Sequence, residues 1–112
     1  MASSQRTVDF VLGQIDGAGA VSARRMFGEY GVYCDGRIVG LICDDTFFIK
    51  PTVAGRAFAA GMGEGPPYPG AKPYLEIDAD RLDDADWLTE LVRQTTAELP
   101  LPAPRRKARA RK

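Results

Sequence analysis

The sequence predicts a single small α+β domain: an antiparallel sheet of about four to five strands with an N-terminal helix, a short middle helix and a C-terminal helix. Three observations predict it. A helical stripe opens the chain, a run of β-forming segments punctuated by Gly and Asp fills its middle, and a second helical stripe closes the folded part near residue 99. A length of 112 residues suits one core, and 45% hydrophobic with 27% charged residues is the balance of a globular chain.

Val8, Val11, Leu12 and Ile15 stand at i, i+3, i+4 and i+7, and Ser3 or Ser4 can cap the helix they define. Gly17 and Gly19 punctuate its end. Val21 to Phe27 then reads as a strand that ends at Gly28-Glu29 and can lie antiparallel to the next one. Tyr30 to Cys34 and Arg37 to Cys43 flank Asp35-Gly36, a pair suited to a two-residue type I′ hairpin because both central residues need positive φ. That turn sets a register of Cys34 with Arg37, Tyr33 with Ile38 and Val32 with Val39. A second hairpin at Asp44-Asp45 brings Thr46 to Lys50 alongside, facing Ile42 with Phe47 and Leu41 with Phe48. Simple alternation along the central strand puts Ile38, Gly40 and Ile42 on one face and Val39, Leu41 and Cys43 on the other. Both faces are apolar, so each needs cover from a helix, a loop or another chain.

Beyond Lys50, Pro51 and Thr52 open a short helix that carries Val53, Ala57 and Phe58 inward and stops at Gly61. Gly61 to Pro73 is dense in Gly and Pro and is expected to be a loop without regular structure. Tyr74 to Ile77 alternates like a short strand. Asp83 or Asp84 caps the last helix, with Asp86 in its first turn, Leu88, Leu91, Val92, Thr95 and Leu99 down one side, and Trp87 as an anchor to the core. Pro100, Pro102 and Pro104 then end it. The expected organisation is a folded domain over residues 1–99 and a Pro-rich, then basic tail over 100–112, without order of its own.

Composition removes most chemistry. With no histidine, the commonest general base, the commonest zinc ligand and every Ser-His or Cys-His pair are absent. Cys34 and Cys43 lack CxxC spacing, and their separation along the strands is too great for a disulfide, so both are expected to be reduced and structural. The glycines at 17 and 19, and at 61, 63 and 65, lack the GKS or GKT ending of a phosphate loop and read as turns. Asp78, Asp80, Asp83, Asp84 and Asp86 lack the EF-hand's central glycine and closing glutamate, and helix caps account for most of them. No catalytic residue, metal or cofactor is therefore expected. No apolar run reaches the roughly 18 residues that span a bilayer, and Met1 to Arg6 does not look like a signal peptide, so a cytoplasmic location away from membranes is the expectation.

The net charge is zero but unevenly placed. Positions 1–104 carry all 15 acids against nine bases, while Arg105, Arg106, Lys107, Arg109, Arg111 and Lys112 form an acid-free block. That block is either a solvated end or a contact for nucleic acid or an acidic partner. Arg24, Arg25 and Lys50 are further anion-contact candidates, although adjacent strand positions send Arg24 and Arg25 to opposite faces. Guarding of the sheet edge against other strands is the first reading of them, and anion contact is the alternative. Tyr30, Tyr33, Phe47 and Phe48 resemble the stacking surface of sheet-based RNA binders, yet the acidic body disfavours phosphate, and core packing explains them better.

The run Arg24-Arg25-Met26-Phe27-Gly28-Glu29-Tyr30-Gly31-Val32-Tyr33, followed by Asp35-Gly36, Asp44-Asp45 and Phe47-Phe48-Ile49-Lys50, closely resembles the TfoX/Sxy N-terminal domain family. The family's signature reads approximately RRMFGGYGLY, then DG, a strand, DD and LYLK. Tyr68 in a Gly/Pro loop, Tyr74 in a short strand and the acidic opening of the last helix add to the likeness, which extends over residues 8–99. Glu29 stands where glycine is usual, and Phe47-Phe48 replaces a leucine-tyrosine pair. The resemblance implies an α+β domain with an antiparallel sheet, in a family linked to activation of DNA-uptake genes together with the cyclic-AMP receptor protein. It implies no enzymatic activity and no ligand residues. Met26, Phe27, Gly28, Tyr30, Gly31, Tyr33, Asp35 and Gly36 are the motif positions expected to be structural. Full-length competence regulators carry a second, helical domain, whereas this sequence resembles an N-terminal domain standing alone.

The expected role is a regulatory or protein-interaction module that uses the sheet to bind a partner or a second copy of itself. Nucleic-acid binding through the basic tail is the alternative, and an enzyme acting near Tyr68 and Tyr74 is a third.

Overall fold

The computed structural model describes residues 3–100. The chain runs as α1 (Gln5–Gln14), a 3-10 turn at Asp16–Ala18, β1 (Val21–Met26), β2 (Glu29–Cys34), β3 (Arg37–Cys43), β4 (Thr46–Ile49), α2 (Val53–Phe58), β5 (Glu64–Gly65), β6 (Tyr74–Glu76), α3 (Ala79–Leu82) and α4 (Ala85–Glu98). The six strands form one antiparallel sheet in the order β1-β2-β3-β4-β6-β5.

Local chemistry sets the helix ends. Ser4 Oγ accepts the Thr7 amide, Thr52 Oγ1 the Gly55 amide and Asp84 Oδ1 the Trp87 amide, so α1, α2 and α4 each begin on a side-chain cap. Asp78 does the same for α3 through the Arg81 amide, an element too short for periodicity to reveal. Val8, Val11 and Ile15 from the first helical segment and Leu88, Leu91 and Val92 from α4 are buried against one sheet face. Trp87 packs beside them with its ring centroid 5.6 Å from Phe58.

Three two-residue turns connect β1 to β4. Their central pairs, Phe27-Gly28, Asp35-Gly36 and Asp44-Asp45, all have positive φ, as type I′ hairpins require. The third lets Ile42 face Phe47 and Leu41 face Phe48, as the alternation anticipated. Along β2–β3 the register starts with Cys34 on Arg37 and Tyr33 on Ile38, but then Val32 pairs with Gly40, not Val39. Val39 is an extra residue, a one-residue bulge whose carbonyl accepts the Lys50 amide at 2.8 Å. The bulge corrects the face assignment as well. Val39 and Ile42 belong to the helix-covered core, whereas Ile38, Leu41 and Cys43 share the opposite face with Phe48. Gly40 is required here, because a Cβ would stand 2.2 Å from the Phe48 carbonyl oxygen.

Two further points differ from the sequence expectation. Glu64 and Gly65 form a two-residue edge strand on β6 inside the Gly/Pro segment, bringing the sheet to six strands. Helix α2 turns Gly55 inward and leaves Val53 81% exposed, with Ala57 also at the surface. Its register follows from close approach to α4, since a Cβ on Gly55 would lie 3.2 Å from Thr95 Oγ1 and 3.5 Å from Leu91 Cδ1. The two cysteines are free, buried and on opposite faces, Cys34 in the main core and Cys43 beneath the open side.

Candidate functional site

Among the described residues the helices cover one face of the sheet only. On the other, strand alternation presents Met26, Gly31, Tyr33, Ile38, Leu41, Cys43 and Phe48, and the loop before β6 brings Tyr68 to the margin. Leu41, Cys43 and Phe48 make a small second cluster there with Met26, Ile38 and Tyr74 packed on it. Above this cluster lies an apolar groove of about 540 Å³, floored by Ile38, Leu41 and Cys43 and walled by Met26, Tyr68 and Tyr74. Gly31 keeps its floor low, for a Cβ there would meet Met26 Cε at 3.2 Å and Ile38 Cδ1 at 3.3 Å.

Phe27 sits at the groove's rim, 97% exposed, in a turn where its φ of 52° is uncommon for a bulky residue. A structural role for Phe27 is therefore confined to the turn backbone, because its ring packs on nothing in the core. Tyr68 is 53% exposed at the same groove. The other motif positions are internal or turn-forming: Tyr30 in the main core, Gly31 beneath the groove, Gly28 and Gly36 at positive φ, Asp35 accepting the Ala20 amide at 2.9 Å.

A second, more polar groove of about 440 Å³ adjoins the first, lined by Arg24, Tyr33, Arg37 and Leu99. Ile38 and Lys50 line both, so the two lie side by side. Arg24 lies over the Tyr33 ring at 5.6 Å, while Arg25 lies over Tyr30 at 5.4 Å on the helix-covered side. Of the candidate cations, Arg24 and Lys50 thus come together and Arg25 stands apart. Arg37 joins them and donates from Nε to the Leu99 carbonyl at 3.1 Å. Arg105, Arg106, Lys107, Arg109, Arg111 and Lys112 lie outside the described residues.

The electrostatics of the apolar end are settled internally. Burial pushes the Glu29 carboxyl up, but the amides of Asp44 and Ser3 and the Ser3 hydroxyl outweigh it and hold its pKa below the ordinary value. Burial and the nearby Glu29 charge push the Cys43 thiol up, which keeps it protonated and poorly nucleophilic. Burial, then the neighbouring Tyr68 and Cys43, raise Tyr74 as well. Among the described residues, no group of three or more Cys, Asp or Glu is placed to hold a metal ion, and no helix is long and apolar enough to cross a membrane.

The sequence model of the TfoX N-terminal domain matches residues 13–99, from the end of α1 to the end of α4. The chain belongs to the TfoX N-terminal domain family. An uncharacterized 12.7 kDa protein in the trpE 5′ region of Spirochaeta aurantia is 42% identical over 106 residues, a span of 95% of this chain and 91% of that relative. This TfoX N-terminal domain therefore carries its motif in two physical roles. Gly28, Gly31, Asp35 and Gly36 shape hairpins and the groove floor, while Met26 and Phe27 line the open groove.

Proposed function

We propose that this TfoX N-terminal domain is a regulatory protein-interaction module that docks a partner on the open face of its sheet. One observation carries this: the helix-free face holds a groove walled by apolar side chains, with Phe27 almost fully exposed at its rim. Large apolar side chains left in water next to an apolar depression are the usual mark of an interface. Enzymatic chemistry has little to work with here, since the thiol in the groove is kept protonated and the nearby carboxylate is bound by amides. A part in transcription or competence regulation rests on the family likeness.

Affinity capture from native cell extract, with the full chain and with Phe27→Ser and Ile38→Asp variants, tests the docking role. A protein captured by the native chain and lost with both variants, each still folded by circular dichroism, supports it. Capture that ignores both substitutions overturns it.

A second role, nucleic-acid binding, is favoured by Arg24, Arg37 and Lys50 lining one groove in a chain that also carries the block of six cations. Release of counterions from six phosphate contacts gives a log-log salt slope of about −5. Loss of binding on removal of residues 105–112 supports this role, and no binding even in low salt ends it.

A further inference from the structure

The two grooves differ in chemistry along one line. At the Phe27 end the walls are apolar, and the single carboxylate, Glu29, is engaged by the amides of Ser3 and Asp44. At the Leu99 end, Arg24 and Arg37 flank the depression, and Lys50 stands where the two halves meet. Among the described residues none of these three cations forms a salt bridge, the only ion pairs being Arg56 with Glu64 and Arg93 with Glu90. A cationic half without counter-charge beside an apolar half calls for an occupant that is apolar at one end and acidic at the other.

Size and overall charge narrow the occupant further. Strand β3, which floors both halves, is seven residues long, about 20 Å at strand rise. That length matches about seven residues of extended peptide, and the apolar groove alone exceeds what a small carboxylate fills. A polyanion such as single-stranded nucleic acid would have to lie across a body in which 15 acids outnumber nine bases. A short peptide with one or two acids meets only the local cations.

We infer, building on the docking role proposed above, that the partner supplies an extended segment with two apolar side chains seated over Leu41 and Met26 and one or two acidic side chains set over Arg24, Arg37 and Lys50. The apolar anchors provide contact area, and the acids set direction and register along β3. Two apolar residues at i and i+2 would point together into the groove, as alternation in an extended chain dictates.

Selection of random peptides of about 12 residues displayed on phage against the full chain tests this. Enriched peptides are expected to share two apolar residues two positions apart, followed or preceded within four positions by Asp or Glu. For a synthetic copy of the leading peptide, Lys50→Glu should weaken binding about tenfold or more and Lys50→Arg should restore it, while Phe27→Ser weakens it without changing the circular dichroism. Peptides that need Phe27 but carry no acid, and that ignore Lys50→Glu, overturn the acidic assignment and leave the docking role standing. Enriched peptides that are basic, or a failure to enrich any peptide dependent on the open face, overturn the assignment also, and the extract capture then decides the docking role by itself. A micromolar dimer in sedimentation, abolished by Phe27→Ser, would put a second copy in the groove and overturn the assignment in favour of self-association.

Discussion

The Glu29 carboxylate accepts the backbone amide of Asp44 at 2.9 Å, joining the β1–β2 end of the sheet to the β3–β4 turn. Its other oxygen accepts the Ser3 amide at 2.8 Å, while Ser3 Oγ accepts the Asp45 amide at 2.8 Å and Asp45 accepts the Ser4 amide and the Thr7 hydroxyl. The start of α1 is thereby sewn to two hairpin ends at once. This glutamate, which stands where the family signature has glycine, ties the start of the chain to two turns.

Replacing Glu29 with Gln should cost on the order of 1 kcal/mol at neutral pH, as expected when an amide replaces a carboxylate that accepts several hydrogen bonds. The folded pKa is depressed, so the contribution is complete above the ordinary carboxylate value of about 4.5 and is lost as the pH falls through the lower folded value. Urea melts of native chain and Glu29→Gln should differ at pH 7, and the gap should shrink as the pH falls below about 4.5. A gap that persists unchanged at pH 3 would show that the charge plays no part.

Gly40→Ala should destabilise by about 1–3 kcal/mol, the range for overpacking a closed site. The added methyl meets backbone, the Phe48 carbonyl oxygen at 2.2 Å, which no rotamer change relieves. Thermal melting that shows no loss would mean that the β3–β4 pair separates more readily than its position at the sheet centre implies.

How much of the structure is legible in the sequence depends on the length scale of the signal. The Asp35-Gly36 and Asp44-Asp45 turns are legible because short polar residues and glycine are the ones that occupy positive φ, and the Ile42–Phe47 pairing follows from them. The helices are legible through their caps and their spacing. The Val39 bulge is not, because alternation by two has no means of recording one inserted residue, and that insertion alone moves Ile38 from the covered face to the groove. Phe27-Gly28 hides its turn behind a bulky residue, and Glu64-Gly65 is too short to rise above the surrounding Gly and Pro. The groove itself joins β1, β3, β4, β6 and a loop, so only the assembled sheet displays it.

Phe27→Asn should leave stability unchanged or raise it by up to about 1 kcal/mol, because Asn tolerates the left-handed region better than a bulky side chain and no core contact is lost. The same substitution should abolish partner capture. Stability and binding then move independently, which a purely structural role for this position forbids. A fall of more than about 1 kcal/mol in a denaturant titration would return Phe27 to the scaffold.

Cys43 offers a direct probe of the groove. Burial and the Glu29 charge keep its thiol protonated, and Cys34 is enclosed in the main core with its Sγ 3.7 Å from the Ala18 carbonyl. In the native chain both should react with a thiol-directed dye at about pH 8 far more slowly than in denaturant, where an ordinary thiol is partly ionised and open to attack. Glu29→Gln removes one of the two causes that raise Cys43 and should accelerate its labelling, leaving Cys34 unaffected as read by mass spectrometry of the cleaved peptides. A groove occupant lies over Cys43, so bound peptide should slow that labelling again in proportion to occupancy. Equal labelling of Cys43 with and without peptide would place the peptide somewhere other than above Leu41 and Cys43.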